Sequence, residues 1–236
     1  MKPRLYQAQC VLFSLLLALL SACDSGSSQS SDMRKYFPLE KGLIWEYKHE
    51  LALTGDEPVI STFHIENLGE KVFRDKRYWV RRTSHGTDYY LGEDKTGLFR
   101  YGKRTIVENE PRLDASPRMV LPLPVPNKVG KAWSVLTQSY TLHRVLPNYE
   151  PPHENIAHFH MTYSVVGLDE DVSVPAGQFK HCLLIEGQAQ IDQFAGANEG
   201  TGEIEITTRE WYAPHVGMVK MERIEPLDGS VFKGGK

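Results

Sequence analysis

Apolar and polar residues alternate with a period of two in several segments of the chain, which is the pattern of half-buried strands. The alternation is clearest in Phe159–Val165 and Glu203–Thr207, and the aromatic-rich segment Ile44–Leu51 alternates in part. Segments 60–65 and 78–83 behave similarly, and turn-forming residues separate these runs. Beyond the first 22 residues, the sequence shows no helical period sustained over three turns. The pattern therefore predicts a mainly β, antiparallel domain.

Two landmarks recur in the same order in the two halves of the chain. The pattern P-x-x-x-G-x-x-W occurs at 38–45 and again at 126–133, and each copy is followed by adjacent aromatic residues and a glycine-led apolar segment. Glycine suits a turn with positive φ, and each tryptophan then enters a strand as a large anchor. This shared order predicts an internal repeat with halves at 37–113 and 119–227. We expect both halves to contribute strands to one sheet system within a single domain, 36–236. The tryptophans predicted to be core anchors are Trp45, Trp133 and Trp211.

The N-terminal residues have the three parts of an export signal. Basic residues precede the apolar run 11–20, whose length of about ten residues is half of the roughly 20 that span a bilayer as a helix. One interpretation is an ordinary secretory signal cut near Ala22. However, Leu20–Cys23 resembles the lipobox of bacterial lipoproteins, in which the cysteine receives diacylglycerol. This resemblance predicts that residues 1–22 are removed and that Cys23 is lipidated.

The residues that follow Cys23 fit a membrane anchor. Residues 24–32 read DSGSSQSSD, and such a polar run predicts a flexible tether over 23–35. Acyl chains contribute about 0.8 kcal/mol per buried CH₂, so an acylated cysteine holds the domain at a membrane. We expect a location in the bacterial cell envelope, facing the periplasm, with the inner and the outer membrane both open as the site of the anchor.

Charge and cysteine content narrow the class of protein. The formal net charge is −3, and loss of the two positive charges of Lys2 and Arg4 with the signal makes it −5. A phosphate-binding surface needs clustered basic residues, so we expect no nucleic-acid partner. Removal of the signal and lipidation of Cys23 leave only Cys182, which excludes an intramolecular disulfide. The apolar neighbours of Cys182 predict a small buried side chain.

Three motifs resemble those of many uncharacterised bacterial envelope lipoproteins. They are YFPL..G..WEY at 36–47, VPAGxFxxC at 174–182 and WYAPxVGxVK at 211–220. By themselves, the VPAG and APHVG segments also read as turns. The group is similar to the open, curved antiparallel sheets of the periplasmic lipoprotein carrier and its outer-membrane receptor. The resemblance implies a strongly curved sheet, open or a half-barrel, with an apolar concave face, and it implies no activity.

Motifs for catalysis are absent from the sequence. It contains no G-x-S-x-G elbow, Walker loop or dinucleotide fingerprint. His158 and His160 share one strand face and His153 is near them in sequence, which is a possible metal-binding set, but the usual metal motifs are missing. The acidic run 169–171 reads as a solvated turn, and the glycine-rich segment 196–202 reads as a hairpin loop. We therefore predict a protein that is not an enzyme, with no catalytic residue, no metal and no cofactor.

The remaining hypotheses concern binding. The first is a non-catalytic module of the envelope that binds an apolar ligand or a lipid on its concave face. The alternative is an interaction or scaffold lipoprotein that contacts an envelope protein through a sheet edge or the loops 146–156 and 195–202. A third is a metal-dependent hydrolase in which the three histidines converge. Only Cys23 is assigned as a site residue, and the ligand-binding residues stay unassigned.

Overall fold

The computed structural model describes residues 33–123, 125, 128–144, 158–228 and 232–236. Several predicted features lie outside these residues: the signal, Cys23, the tether up to residue 32, His153 and the loop 146–156. The described chain is almost entirely strand, and a single helical turn, α1, covers 33–36. None of the described residues forms a helix with the length and apolar character needed to cross a membrane.

The first half of the chain forms a six-stranded antiparallel sheet in which each strand pairs with the next one along the chain. Its strands are β1 (Ile44–Leu51), β2 (Val59–Phe73), β3 (Lys76–Thr83), β4 (Asp88–Asp94), β5 (Gly97–Arg104) and β6 (Arg112–Pro122). The tight β2–β3 turn places Arg74 and Asp75 at positive φ, as a two-residue hairpin loop requires. This first sheet curls into a half-barrel.

The second half forms a seven-stranded sheet with the order β7-β9-β10-β11-β12-β13-β8. Its strands are β7 (Ala132–Gln138), β8 (His143–Arg144), β9 (His158–Val174), β10 (Gly177–Gly196), β11 (Gly200–Ala213), β12 (Gly217–Asp228) and β13 (Phe232–Gly235). The VPAG and APHVG segments form the β9–β10 and β11–β12 turns, and the glycine-rich segment forms the β10–β11 hairpin loop. These three turn predictions are confirmed.

The predicted fold class is also confirmed: the protein is mainly β, antiparallel and strongly curved, with two strand-rich halves. The alternation of apolar and polar residues predicted these strands because one face of each sheet is buried. In β9, for example, Met161, Tyr163 and Val165 are buried while His158 and His160 are exposed. The first sheet ends at Pro122, and the second begins ten residues later. The internal repeat itself stays a prediction.

A hydrophobic core lies between the two sheets and includes the N-terminal segment. Its members come from three places in the chain: Leu91, Leu98 and Leu121 in the first sheet, Val165, Ile185 and Ile206 in the second, and Met33, Phe37 and Leu39 before β1. Each such side chain contributes about 2 kcal/mol on burial. Met33, which the sequence analysis assigns to the tether, is fully buried, so the folded part of the chain includes it.

Side chains of β1 join the first sheet to the β11–β12 turn of the second. The Trp45 indole nitrogen donates to the carbonyl of Val216 at 2.6 Å, and the Tyr47 hydroxyl donates to the carbonyl of Met218 at 2.8 Å. Gly217 lies between these acceptors with φ of 97°, and a Cβ there would be 3.3 Å from Pro38 Cδ. The first and third motifs therefore meet in space, which explains why the sequence needs both. We call this contact the inter-sheet joint.

Arg81 of β3 occupies the centre of the inter-sheet joint. Its guanidinium carbon lies 4.1 Å from the ring centroid of Phe37 and 4.7 Å from that of Trp45. It donates to Asn67 Oδ1 at 2.9 Å and to the Pro38 carbonyl at 3.0 Å. Burial lowers the pKa of Arg81 to about 10, against its attraction to tyrosine hydroxyls. The planar guanidinium of Arg81 and the rings of Phe37 and Trp45 that lie against it together hold the segment before β1 in place.

A buried carboxylate holds the segment after β7 against β12. Glu225 is fully buried and accepts hydrogen bonds from Ser139 and Thr141 hydroxyls, from backbone N–H groups of residues 140–142, and from Arg223 at 2.6 Å. Burial alone raises the pKa of Glu225, but the hydrogen bonds and Arg223 outweigh it and lower the pKa to about 2. The carboxylate is thus ionised and satisfies an entire turn of backbone donors.

Replacing this carboxylate tests its contribution to stability. We expect Glu225→Gln to lower the free energy of unfolding by about 3 kcal/mol at pH 7, because it leaves the buried Arg223 without its counter-ion. Folding lowers the pKa of Glu225, so its carboxylate stabilises the fold fully at pH values above its pKa in the unfolded chain. This stabilisation is lost as pH falls towards 2. Urea denaturation at several pH values measures both effects.

Glu222 offers a matched control on the same strand. Its carboxylate pairs with Lys220 and Lys236 near the surface. An ion pair that solvent screens contributes less than about 1 kcal/mol, so Glu222→Gln should cost little. Equal losses for the two variants would contradict the role given to Glu225.

Candidate functional site

Two of the three histidines of the possible metal-binding set lie among the described residues. His158 and His160 lie on the exposed face of β9, and the ring of His160 is 3.2 Å from the Ser134 hydroxyl. His153 lies outside the described residues. Within the described ranges, no group of three or more His, Cys, Asp or Glu residues could hold a metal ion. The two described histidines therefore read as surface residues of a strand.

The acidic run and Cys182 also occupy plain structural positions. The interpretation of the acidic run as a turn is wrong: Asp169, Glu170 and Asp171 are strand residues within β9, although their side chains are solvated as expected. Asp169 pairs with exposed His181 at 2.5 Å. Cys182 is fully buried in a small cluster with Val172 and Ala213. Burial, and then the nearby carboxylates, raise the pKa of the Cys182 thiol. An inaccessible thiol with a raised pKa is a poor nucleophile.

The three tryptophans lie at the margins of packed regions. Trp133 stacks on Tyr163, with ring centroids 5.9 Å apart and planes at 17°. Trp211 packs beside the Cys182 cluster, with Lys220 over its ring, and Trp45 belongs to the inter-sheet joint. All three are half-buried anchors between elements.

The curled first sheet has a second, aromatic cluster on the face opposite the shared core. Tyr78, Val80 and Tyr90 are buried there, and Phe73 and Tyr101 pack against them. Every member belongs to the first sheet, so side chains of that sheet bury one another there. They fill much of this face, and its open part is small. The apolar concave face expected from the motif resemblance stays a prediction.

The open part is a hollow of about 290 Å³ at one end of β3 and β4. The paired register of these strands runs from Arg82–Asp88 to Trp79–Leu91. Beyond that pair β3 stays with β2 and β4 stays with β5, so the two strands diverge. The residues that line the gap are Lys76, Arg77, Tyr78, Trp79, Gly92, Glu93 and Tyr101. We call this feature the β3–β4 hollow.

Aromatic rings and a glycine shape the β3–β4 hollow. The rings of Tyr78 and Tyr101 meet edge to face with centroids 5.6 Å apart. Tyr101 crosses above Gly92, where any Cβ would lie only 2.8 Å from its ring, so the glycine permits this close approach. The hollow is therefore walled by aromatic surface that a small apolar group can contact.

Charged side chains form part of the lining of the β3–β4 hollow. Lys76 and Arg77 are exposed on the β3 side, where Arg77 lies 3.9 Å from Glu70. Glu93 on the β4 side is 3.8 Å from Arg34, whose guanidinium also lies 5.1 Å from the Trp79 ring centroid. Arg34 belongs to α1, so the hollow lies beside the point where the chain leaves the predicted tether. A positive side and an apolar wall suit an apolar ligand that carries an anionic group.

A second polar cluster lies between the sheets. The Tyr212 hydroxyl donates to Glu210 Oε2 at 2.6 Å, and Arg118 from the first sheet reaches Tyr163 and Thr137 at 3.3 and 3.4 Å. Burial raises the pKa of Glu210, against the Tyr212 hydrogen bond and attraction to nearby arginines. Such a group is a candidate acid in a functional site. Its neighbours, however, occupy the interior between the sheets, which favours a structural role.

The sequence patterns predicted neither the β3–β4 hollow nor the polar cluster around Glu210. The run Lys76-Arg77-Tyr78-Trp79 carries the basic and aromatic side chains of the hollow, and it reads only as the start of a strand. The signal that could have found it is Gly92, an isolated glycine inside a strand pattern, which often marks close approach of another group.

Comparison with known proteins gives one family match, in the second half of the chain. A family model described as DUF3108-like matches residues 125–226, which is less than half of the chain and contains the VPAG and WYAP motifs. No curated protein matches the chain.

Two solved structures resemble the chain at low similarity. One is of a candidate lipoprotein from Parabacteroides distasonis, with 11% identity, a TM-score of 0.32, and coverage of 85% of this chain and 95% of that one. The other is of a candidate exported protein with a YmcC-like fold from Bacteroides fragilis, with 13% identity, a TM-score of 0.33, and coverage of 85% and 96%. Likeness at this level does not identify a shared function.

The raised pKa of Glu210 generates a stability prediction. A carboxyl whose pKa is higher in the folded state costs stability once pH rises above that pKa, whereas at low pH the cost disappears. Glu210→Gln keeps an acceptor for Tyr212 and removes the charge. We therefore expect the variant to melt about 3 °C higher than the parent at pH 8 and no higher at about pH 4.

Glu205→Gln on the exposed face of the same strand is the control, and we expect no pH-dependent gain from it. Thermal denaturation followed by circular dichroism measures all three proteins. A Glu210→Gln variant that loses stability at pH 8 would show instead that ionised Glu210 is needed by its arginine neighbours.

Proposed function

We propose that this protein is a lipid-anchored, non-catalytic binding module of the bacterial cell envelope, and that the β3–β4 hollow is its ligand site. The observation that carries the proposal is the divergence of β3 and β4 around an aromatic-walled hollow beside positive charge. Lipidation of Cys23 rests on the lipobox, and the absence of enzymatic activity rests on the sequence, which holds no catalytic motif.

The size of the hollow indicates the class of ligand. Pockets that enclose drug-sized molecules occupy roughly 300–1,000 Å³, so about 290 Å³ suits a small planar or short-chain apolar group. Lys76 and Arg77 favour a group with a nearby negative charge. A lipid that binds here would insert one part of itself and leave the rest outside.

The position of the hollow fits a membrane-proximal role. Nine residues lie between Cys23 and Met33, and the ten Cα–Cα steps that join these two residues reach at most about 35 Å. Because Arg34 contacts Trp79 and Glu93, the tether starts beside the hollow. An anchor on Cys23 thus keeps the site within that distance of the membrane and its ligands.

A fluorescent probe tests the site directly. The probe 1-anilinonaphthalene-8-sulfonate is planar and apolar, with one anionic group, and its emission rises on binding to apolar surface. We expect Tyr101→Ala to weaken its binding about tenfold, because the aromatic wall is lost. Titration of the probe against the folded Cys23→Ser chain, which cannot be lipidated, measures the dissociation constant.

Tyr89→Ala is the matched control. Tyr89 lies in the same sheet and packs against Arg100, 5.5 Å from its ring, away from the hollow. We expect an unchanged dissociation constant, with thermal denaturation confirming that both variants fold. Equal probe binding by the parent and Tyr101→Ala would remove the hollow as the site.

A further inference from the structure

The edge of the first sheet presents an open strand. Within the part of the chain that the structure describes, the eight residues of β1 have a hydrogen-bonded neighbour on one side only, which is β2, and residues 52–54, which follow β1, pair with residues 234–236. β1 is eight residues long, contains no proline or glycine, and has exposed side chains at Glu46, Lys48 and Glu50. Ile44 at its start is 63% exposed. An open edge of this kind is a template for another strand.

The other sheet edges are less suited to specific pairing. β6 contains Pro117, which has no backbone N–H to donate, and its register with β5 shifts twice. β8, one edge of the second sheet, is only two residues long. β7 is uncharged, so its sequence does not select a partner or a register. β1 alone among the described edges combines length with a charge pattern.

The charge pattern of β1 is complementary to itself. A second copy of β1 that pairs antiparallel must keep Trp45 and Tyr47 on the inner face, because side chains alternate between faces. Pairings that set charged residues of β1 opposite one another are then centred on one of the residues 46–50. Only the Tyr47 centre places Glu46 opposite Lys48 of the second copy, and the twofold axis creates this contact twice.

The other four centres are less favourable. Centring on Glu46 or Glu50 places that residue opposite its own copy, and centring on Lys48 does the same for the lysine and sets Glu46 opposite Glu50. Centring on His49 sets Lys48 opposite Glu50, but it also requires the main chain of Ala52, which already bonds that of Lys236. Opposite charges across antiparallel strands stabilise and like charges destabilise, so the charges and the bonded end of the strand together select one register. In the structure Lys48 pairs with Glu50 of its own strand at 3.2 Å, and in the proposed register Glu46 of the second copy joins this pair.

We propose that two copies of this protein associate through antiparallel pairing of their β1 strands, centred on Tyr47. The two first sheets then form one continuous sheet with a twofold axis, which is the closed arrangement typical of homodimers. One strand pair buries little surface, so the association is weak in solution. Two copies held on one membrane would meet at a higher effective concentration; this last point rests on the proposed lipidation, but the pairing does not.

Charge reversal tests the register. Sedimentation equilibrium of the Cys23→Ser chain, up to about 1 mM, measures the dimerisation constant. We expect a reversible dimer, at least a tenfold loss in Glu46→Lys or Lys48→Glu, and recovery in the Glu46→Lys/Lys48→Glu double variant, because it restores opposite charges at both contacts. Lys95→Glu, a reversal in the exposed β4–β5 turn, should leave the constant unchanged.

The outcomes separate clearly. A parent chain that stays monomeric throughout this range overturns the proposal, and so does a double variant no better than the single ones. Probe binding at the β3–β4 hollow should be the same in all these variants, since β1 is not among its lining residues. Loss of the dimer and loss of the ligand site are therefore distinguishable.

Discussion

The architecture depends on the stacking of one arginine between two aromatic rings. Arg81 lies between Phe37 and Trp45, and it also binds the Pro38 carbonyl and the Asn67 side chain. This contact holds the segment that carries Met33 and Phe37 into the core, and it positions Trp45 to reach the β11–β12 turn of the other sheet. Main-chain bonds between Ala52 and Lys236 add a second link. Elsewhere the contact between the sheets is mainly apolar, apart from the longer hydrogen bonds of Arg118 to Tyr163 and Thr137, and apolar surface alone does not specify their relative orientation.

The sequence predicted the strands and turns because those features are local. Alternation marks β9 and β11, and the VPAG and APHVG segments have the residues that turns need. The inter-sheet joint could not be predicted from the sequence. Arg81 and Val216 are far apart along the chain, and a periodic pattern indicates a strand without indicating which distant residues it contacts. The same holds for Glu225, whose partners include backbone groups of a turn nearly ninety residues earlier.

The β3–β4 hollow could not be predicted from the sequence for a related reason. Tyr78 and Tyr101 read as ordinary strand aromatics, and only the divergence of β3 from β4 places them around an open space. No local pattern marks the residues at which β3 and β4 stop pairing. An apolar face was expected from the motif resemblance, whereas the burial of Tyr78, Val80 and Tyr90 by side chains of their own sheet depends on packing that no local pattern encodes.

The central claim is that the β3–β4 hollow binds a small apolar molecule in the cell envelope. Native mass spectrometry of the Cys23→Ser chain, purified from a bacterial periplasm, tests it most directly. We expect an additional mass that disappears on denaturation, proves to be an apolar compound, and is strongly reduced in Tyr101→Ala but not in Tyr89→Ala. A bare protein mass in the parent, or an adduct that persists equally in Tyr101→Ala, would contradict it.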